Sequence, residues 1–261
     1  MRADLPAPRF HESGDGVRVA YYVWGDATAG PPVVLQHGFI ADTYLNWVPP
    51  GVVAALLANG RAVVGVDARG HGRSDKPHDP VRYGESRMSR DLRGVVTEIG
   101  AETYDLVGYS MGAVIALITA SEDRRVRRLA IGGVGAGIVE RGGVDTRALD
   151  RSVLARALEA DDPSTATDDP AVLAFVRFAD AVGGDKLAYA AQARSVHAQA
   201  IPLEQITADA LVVVGDRDPL AVRPRVLAQA VHDARLEVLA GDHLGVLSDP
   251  RFTPTVAEFV G

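Results

Sequence analysis

The chain contains no cysteine in 261 residues. That removes disulfides, thiolate zinc sites, iron–sulfur clusters and thiol nucleophiles together. It leaves the redox compartment open, because a disulfide-free chain folds in either environment. A basic excess is also missing: 27 Lys and Arg stand against 34 Asp and Glu, a formal charge of −7. Without a cationic field, nucleic acid is not an expected partner. The local cluster Arg124, Arg125, Arg127 and Arg128 flanks an expected helix end, where cations complement the dipole. Long apolar runs are absent as well. The longest, from Met111 to Ala120, is too short to span a bilayer, so no membrane insertion is expected. The N-terminal Met1 to Phe10 carries charge with no apolar run after it and does not read as a secretory signal, making a cytoplasmic location the default expectation.

What is present is ordinary for a globular protein: 47% hydrophobic and 23% charged residues, enough chain for a large core. Short β-branched runs alternate with longer amphipathic segments, the pattern of a mostly parallel sheet covered by helices. Strands are expected at 17–24, 32–36, 61–66, 103–109 and 126–131. Helices are expected at 52–58, 86–99 and 111–120. From 135 to 200 the pattern turns to glycine-bounded helical pieces at 147–160, 171–182 and 187–198, with no strand between them. The buried-strand pattern returns at 211–215, followed by a helix at 224–231, a strand at 236–239 and a last helix at 253–260. The reading is one α/β core, residues 1–134 and 201–261, carrying a helical cap insertion over 135–200. The stretch Asp161 to Pro170 is an inter-helix loop.

Chemistry concentrates at Gly108-Tyr109-Ser110-Met111-Gly112, which falls on an expected strand-to-helix junction. A serine there occupies a tight turn needing small neighbours, and the helix N-terminus beside it favours a developing anion. The plain alternative is a serine N-cap. A serine hydroxyl needs a base and a group to orient that base. His243, in Ala240-Gly-Asp-His-Leu-Gly245 after a strand, is the expected base. Asp218, in Gly215-Asp-Arg-Asp-Pro219 after another, is the expected acid, with Asp216 in the same turn as the alternative. The chain order is then Ser, Asp, His.

In these motifs the sequence resembles the α/β-hydrolase fold family over nearly its whole length. His37-Gly38-Phe39 is similar to the family's His-Gly oxyanion loop, and Asp67-Ala-Arg-Gly-His-Gly-Arg-Ser74 to its loop after the next strand. The resemblance favours Asp218 over Asp216 as the acid. The resemblance implies that the backbone N–H groups of Phe39 and Met111 form an oxyanion hole, and that His37 and His71 hold loop geometry without transferring protons. It also implies a pocket under the cap, for which Phe175, Phe178 and Tyr189 are the expected lining. Asp242 departs from the pattern, since relatives often have glycine before the histidine; it is expected to face solvent.

The implied function is a carboxylesterase-like serine hydrolase (EC 3.1.1) that cleaves a small or medium ester through an acyl-enzyme. Water is the second reactant, and no cofactor or metal is expected. Lactone, amide or C–C bond hydrolysis and perhydrolysis use the same triad, and fold does not choose among them. Epoxide and haloalkane hydrolases of the family place an aspartate where this chain has Ser110. A non-catalytic ligand-binding receptor on the same fold is the alternative of another class.

Overall fold

A computed structural model of the chain describes residues 5–145, 147, 149–232 and 234–261. The first four residues of the N-terminal stretch and position 148 of the expected 147–160 helix lie outside them. Eight strands form one sheet: β1 (Arg9–Glu12), β2 (Arg18–Trp24), β3 (Val33–Gln36), β4 (Val63–Val66), β5 (Tyr104–Tyr109), β6 (Val126–Gly132), β7 (Asp209–Gly215) and β8 (Arg235–Leu239). Their order is β1-β2-β4-β3-β5-β6-β7-β8. β2 pairs antiparallel with β1 and β4, and every pairing from β4 to β8 is parallel. β3, β4 and β5 are buried along their whole lengths, as parallel strands covered on both faces must be.

The helices are α1 (Thr43–Trp47), α2 (Val52–Ala58), α3 (Glu85–Glu98), α4 (Met111–Glu122), α5 (Ala136–Arg141), α6 (Arg151–Glu159), α7 (Pro170–Val182), α8 (Lys186–Ala193), α9 (Pro224–Ala230) and α10 (Phe252–Val260). One core face gathers α3 and α4 against the sheet, and the other gathers α2 and α10. A third apolar cluster unites α6, α7 and α8 with Ile40, so these helices carry their own small core and seat it on the loop after β3. Among the described residues, no helix is long and apolar enough to cross a membrane.

Several elements differ from the sequence expectation. α6 begins at Arg151 because Asp150 caps it, its carboxylate accepting from the N–H groups of Ser152 and Val153. α8 ends at Ala193, five residues short. β1 and the short helices α1 and α5 were not expected. The arginines after α4 serve ion pairs more than the helix end: Arg125 pairs with Asp123, and Arg127 with Asp105.

The loop between β4 and α3 is braced by a buried charge network. Arg69, 1% exposed, donates from Nε and Nη2 to the two Asp91 oxygens at 2.7 Å each, and from Nη1 to Asp15 at 2.8 Å and the Arg82 carbonyl at 2.6 Å. The hydrogen bond from Arg69, working against partial burial, holds the Asp15 carboxyl at about 2, below the usual 3.8. A depressed carboxyl contributes stability that is complete above its unfolded value and disappears as pH falls through its folded value. Arg69→Met leaves Asp91 buried without its partner, and is expected to cost about 3–5 kcal/mol in chemical denaturation at neutral pH. The same variant should lose less stability than the parent between pH 4 and 2. An equal acid slope in both proteins would contradict this account.

Candidate active site

Ser110 sits where β5 turns into α4. Its φ is +55° and ψ is −116°, a conformation that L residues rarely adopt and that persists only when its surroundings impose it. The surroundings do so from both sides. The Ser110 N–H donates to the Gly132 carbonyl at 2.8 Å, while its own carbonyl accepts the first helical bonds from Ala113 and Val114. The turn is tight enough that a Cβ on Gly108 would overlap the carbonyl of Gly112, and a Cβ on Gly112 would overlap the carbonyl of Gln36. The side chain makes no capping bond to α4, so the N-cap alternative does not describe it.

The hydroxyl faces His243 instead. Ser110 Oγ lies 2.9 Å from His243 Nε2, and His243 Nδ1 lies 2.8 Å from Asp218 Oδ2. A carboxylate only accepts, so Nδ1 carries the hydrogen and Nε2 is left to accept from the serine. The Asp218 side chain is fully buried, and its other oxygen, Oδ1, accepts from the Leu220 N–H at 2.9 Å. The structure thus brings Ser110, Asp218 and His243 together from the ends of β5, β7 and β8. Asp216 is elsewhere: it is exposed and accepts from the Gly241 N–H at 2.9 Å, which shapes the loop that delivers His243. The Tyr109 hydroxyl donates to the His243 carbonyl, and its ring lies 5.4 Å from the imidazole. Burial, with Asp218 and Asp242 adding to it, pushes the Tyr109 phenol well up, so it stays a donor. Asp242 is exposed, and its carboxylate accepts from the Gly245 N–H at 2.8 Å rather than touching the imidazole.

The loop after β3 closes over the serine. A Cβ on Gly38 would sit 3.3 Å from Ser110 Cβ. Among the described residues, the N–H groups of Phe39 and Met111 donate to nothing, so both remain available to a ligand. Two histidines hold this loop. His37 Nε2 accepts from the Ala68 N–H at 2.9 Å, and Nδ1 donates to the Gly38 carbonyl at 2.8 Å. His71 Nε2 accepts from the Ile40 N–H at 3.1 Å, and Nδ1 donates to the Arg69 carbonyl at 3.0 Å. Burial first, then the neighbouring His37, pushes His71 well below the ordinary imidazole range, which keeps it neutral for that bond. Ile40 has φ +69°, unfavourable for a β-branched side chain. Its carbonyl accepts from the Tyr189 hydroxyl of α8 at 3.3 Å, so both of its peptide groups are tied.

A cavity of about 290 Å³ opens at Ser110 and His243, walled by apolar groups including Leu149, Phe175, Phe178 and Leu220. Phe175 and Phe178 line it as expected. Tyr189 does not. Its ring packs against His71 and edge-on to Phe39, and it borders a different cavity on the far side of the loop after β3. Tyr189 is buried against that loop and within the cluster of α6, α7 and α8, not against the cavity at Ser110. A second cavity of about 520 Å³ adjoins the first, sharing Ala41, Asn46, Phe178 and Leu244 as a common wall. Asn46 was not anticipated. It belongs to five-residue α1, too short for any periodic pattern, and the available signal was a polar residue between Leu45 and Trp47 just downstream of His37-Gly38. Among the described residues, no three His, Asp or Glu side chains are grouped so as to hold a metal ion.

The fold that carries this arrangement is matched by known proteins. The family described as alpha/beta hydrolase fold matches residues 31–134. The chain is 27% identical to the enol-lactonase from Burkholderia xenovorans LB400, with a TM-score of 0.75, covering 96% of this chain and 99% of that one. The chain has the α/β-hydrolase fold. Over 97 residues it is 41% identical to sn-1-specific diacylglycerol lipase ABHD11 of Mus musculus, covering 37% of this chain and 29% of the relative. Over 103 residues it is 35% identical to Epoxide hydrolase A of Mycobacterium tuberculosis, covering 39% and 30%. The chain therefore spans under a third of the length of these two curated relatives.

Proposed function

We propose that this protein is a serine hydrolase that cleaves carboxylic esters through an acyl-enzyme. The observation that carries the reading is the relay from Ser110 Oγ to His243 Nε2 at 2.9 Å and from His243 Nδ1 to Asp218 at 2.8 Å, set at an apolar cavity. His243 takes the Ser110 proton as Oγ attacks the carbonyl, and Asp218 stabilises the imidazolium that forms. The unpaired N–H groups of Phe39 and Met111 receive the oxyanion, helped by the N-terminus of α4. His243 returns the proton to the departing alcohol, then activates water to release the acid from Ser110. The elbow serine favours this reading over epoxide opening, which in this family uses a carboxylate at that position. Whole-length similarity to an enol-lactonase supports a lactone as the second substrate class, opened by the same acyl-enzyme.

A fluorophosphonate tests the reading directly, since it modifies only a serine whose proton can be removed. Folded protein should be labelled to one equivalent, with the label on Ser110 and none taken up by Ser110→Ala. Absence of labelling in folded protein would favour the non-catalytic receptor. A series of esters graded by acyl length, run beside a lactone and a diketo acid, then ranks the substrate classes.

A further inference from the structure

Asn46 is 3% exposed and stands in the wall common to the two cavities. Its orientation is fixed by chemistry. The Gly38 N–H, a donor, points at one end of the amide at 2.7 Å, and only the carbonyl oxygen Oδ1 can accept it. The NH₂ end is therefore the other end, and it has no partner among the described residues. That end is not sealed from solvent: it opens on the cavities, where a ligand acceptor can take the place of water. The surrounding walls say what kind of acceptor. Among the described residues, neither cavity is lined by a lysine or arginine, whereas Asp242 and Asp249 border them, Asp249 already paired with Arg251. An anionic substrate group would thus meet no free lysine or arginine in these walls, and would meet the exposed carboxylate of Asp242. The two chambers also differ in character: the one at Ser110 is walled mainly by apolar side chains, and the larger one adds Ser248, Asp249 and Thr253.

We infer that the substrate is an uncharged ester with an apolar portion in the Ser110 chamber and an ether, hydroxyl or carbonyl oxygen near the scissile group, which accepts a hydrogen bond from Asn46 Nδ2. This inference rests on the hydrolase reading and assigns Asn46 as the residue that selects the oxygen-bearing member of a pair. Asn46 also steadies Gly38, so the informative quantity is a ratio of two substrates within one enzyme, in which any general loss of activity cancels.

The test uses butanoate esters of equal length, pentyl against 2-ethoxyethyl, and a matched pair with the ether oxygen moved into the acyl chain. A third probe ends in a carboxylate. The parent enzyme should favour the oxygen-bearing ester in at least one pair by about fivefold in kcat/KM, the rate equivalent of one net hydrogen bond. The carboxylate probe should be the poorest. Asn46→Asp at pH 8 keeps the acceptor for Gly38 and removes the donor, and the ratio should fall to one or below. Equal rates within both pairs for the parent, or an undiminished preference in Asn46→Asp, would overturn the assignment. If the variant does not fold, the parent ratios decide. Labelled Ser110 with no ether preference refutes this inference alone. No labelling and no turnover of any ester refutes the hydrolase reading and this inference with it.

Discussion

Replacing Ser110 by alanine is expected to lower kcat/KM for a small p-nitrophenyl ester by about six orders of magnitude, the scale seen when a serine nucleophile is deleted from a hydrolase triad. The loss should be confined to chemistry. Among the described residues, Ser110 Oγ bonds only to His243, so its removal strands no buried donor in the core. Alanine bears the same penalty at φ +55° as serine, which leaves the backbone strain unchanged. Melting by circular dichroism should therefore superimpose on the parent within a few degrees. Activity within tenfold of the parent in a well-folded variant would remove Ser110 from the mechanism.

Asp218→Asn is expected to cost about 10⁴-fold in kcat with little change in KM, and the structure says why so small a change should matter. The Leu220 N–H donates to Oδ1 at 2.9 Å. In asparagine that position must be taken by the oxygen, which turns the NH₂ toward His243 Nδ1. The imidazole must then accept at Nδ1 and carry its hydrogen on Nε2, where it can no longer take a proton from Ser110. Asp216→Asn is the control. Among the described residues, its carboxylate pairs only with the Gly241 N–H and Arg217, so turnover should stay within severalfold. If the two variants fall equally, the imidazole is not oriented by Asp218.

Much of this site was legible in the sequence because it depends on local rules. A serine between glycines at the end of an apolar run and the start of a helical one has few conformations open to it, and the structure places Ser110 in the expected turn. The choice of Asp218 over Asp216 came from the family pattern and not from a local rule: two aspartates in one turn look alike in sequence, and only the fold shows which one meets His243. The cavity walls were less legible. Helical periodicity marks Tyr189 as buried but is silent on what it is buried against, and the answer depends on how α8 sits on the loop after β3. Asn46 was invisible for a different reason, since its importance comes from a single N–H, that of Gly38, which no periodic pattern marks. β1 was missed because an exposed four-residue edge strand buries too little to leave a pattern.

The bond between the Tyr189 hydroxyl and the Ile40 carbonyl crosses from the helices over the site to the loop that carries the Phe39 N–H. A displacement of α8 that breaks this bond leaves Ile40, at positive φ, held among the described residues only through its N–H to His71. By reciprocity, whatever free energy the seated helix lends to oxyanion binding, a bound oxyanion returns to keeping the helix seated. A tetrahedral analogue on Ser110 should accordingly slow amide hydrogen exchange in α8, a helix it never touches.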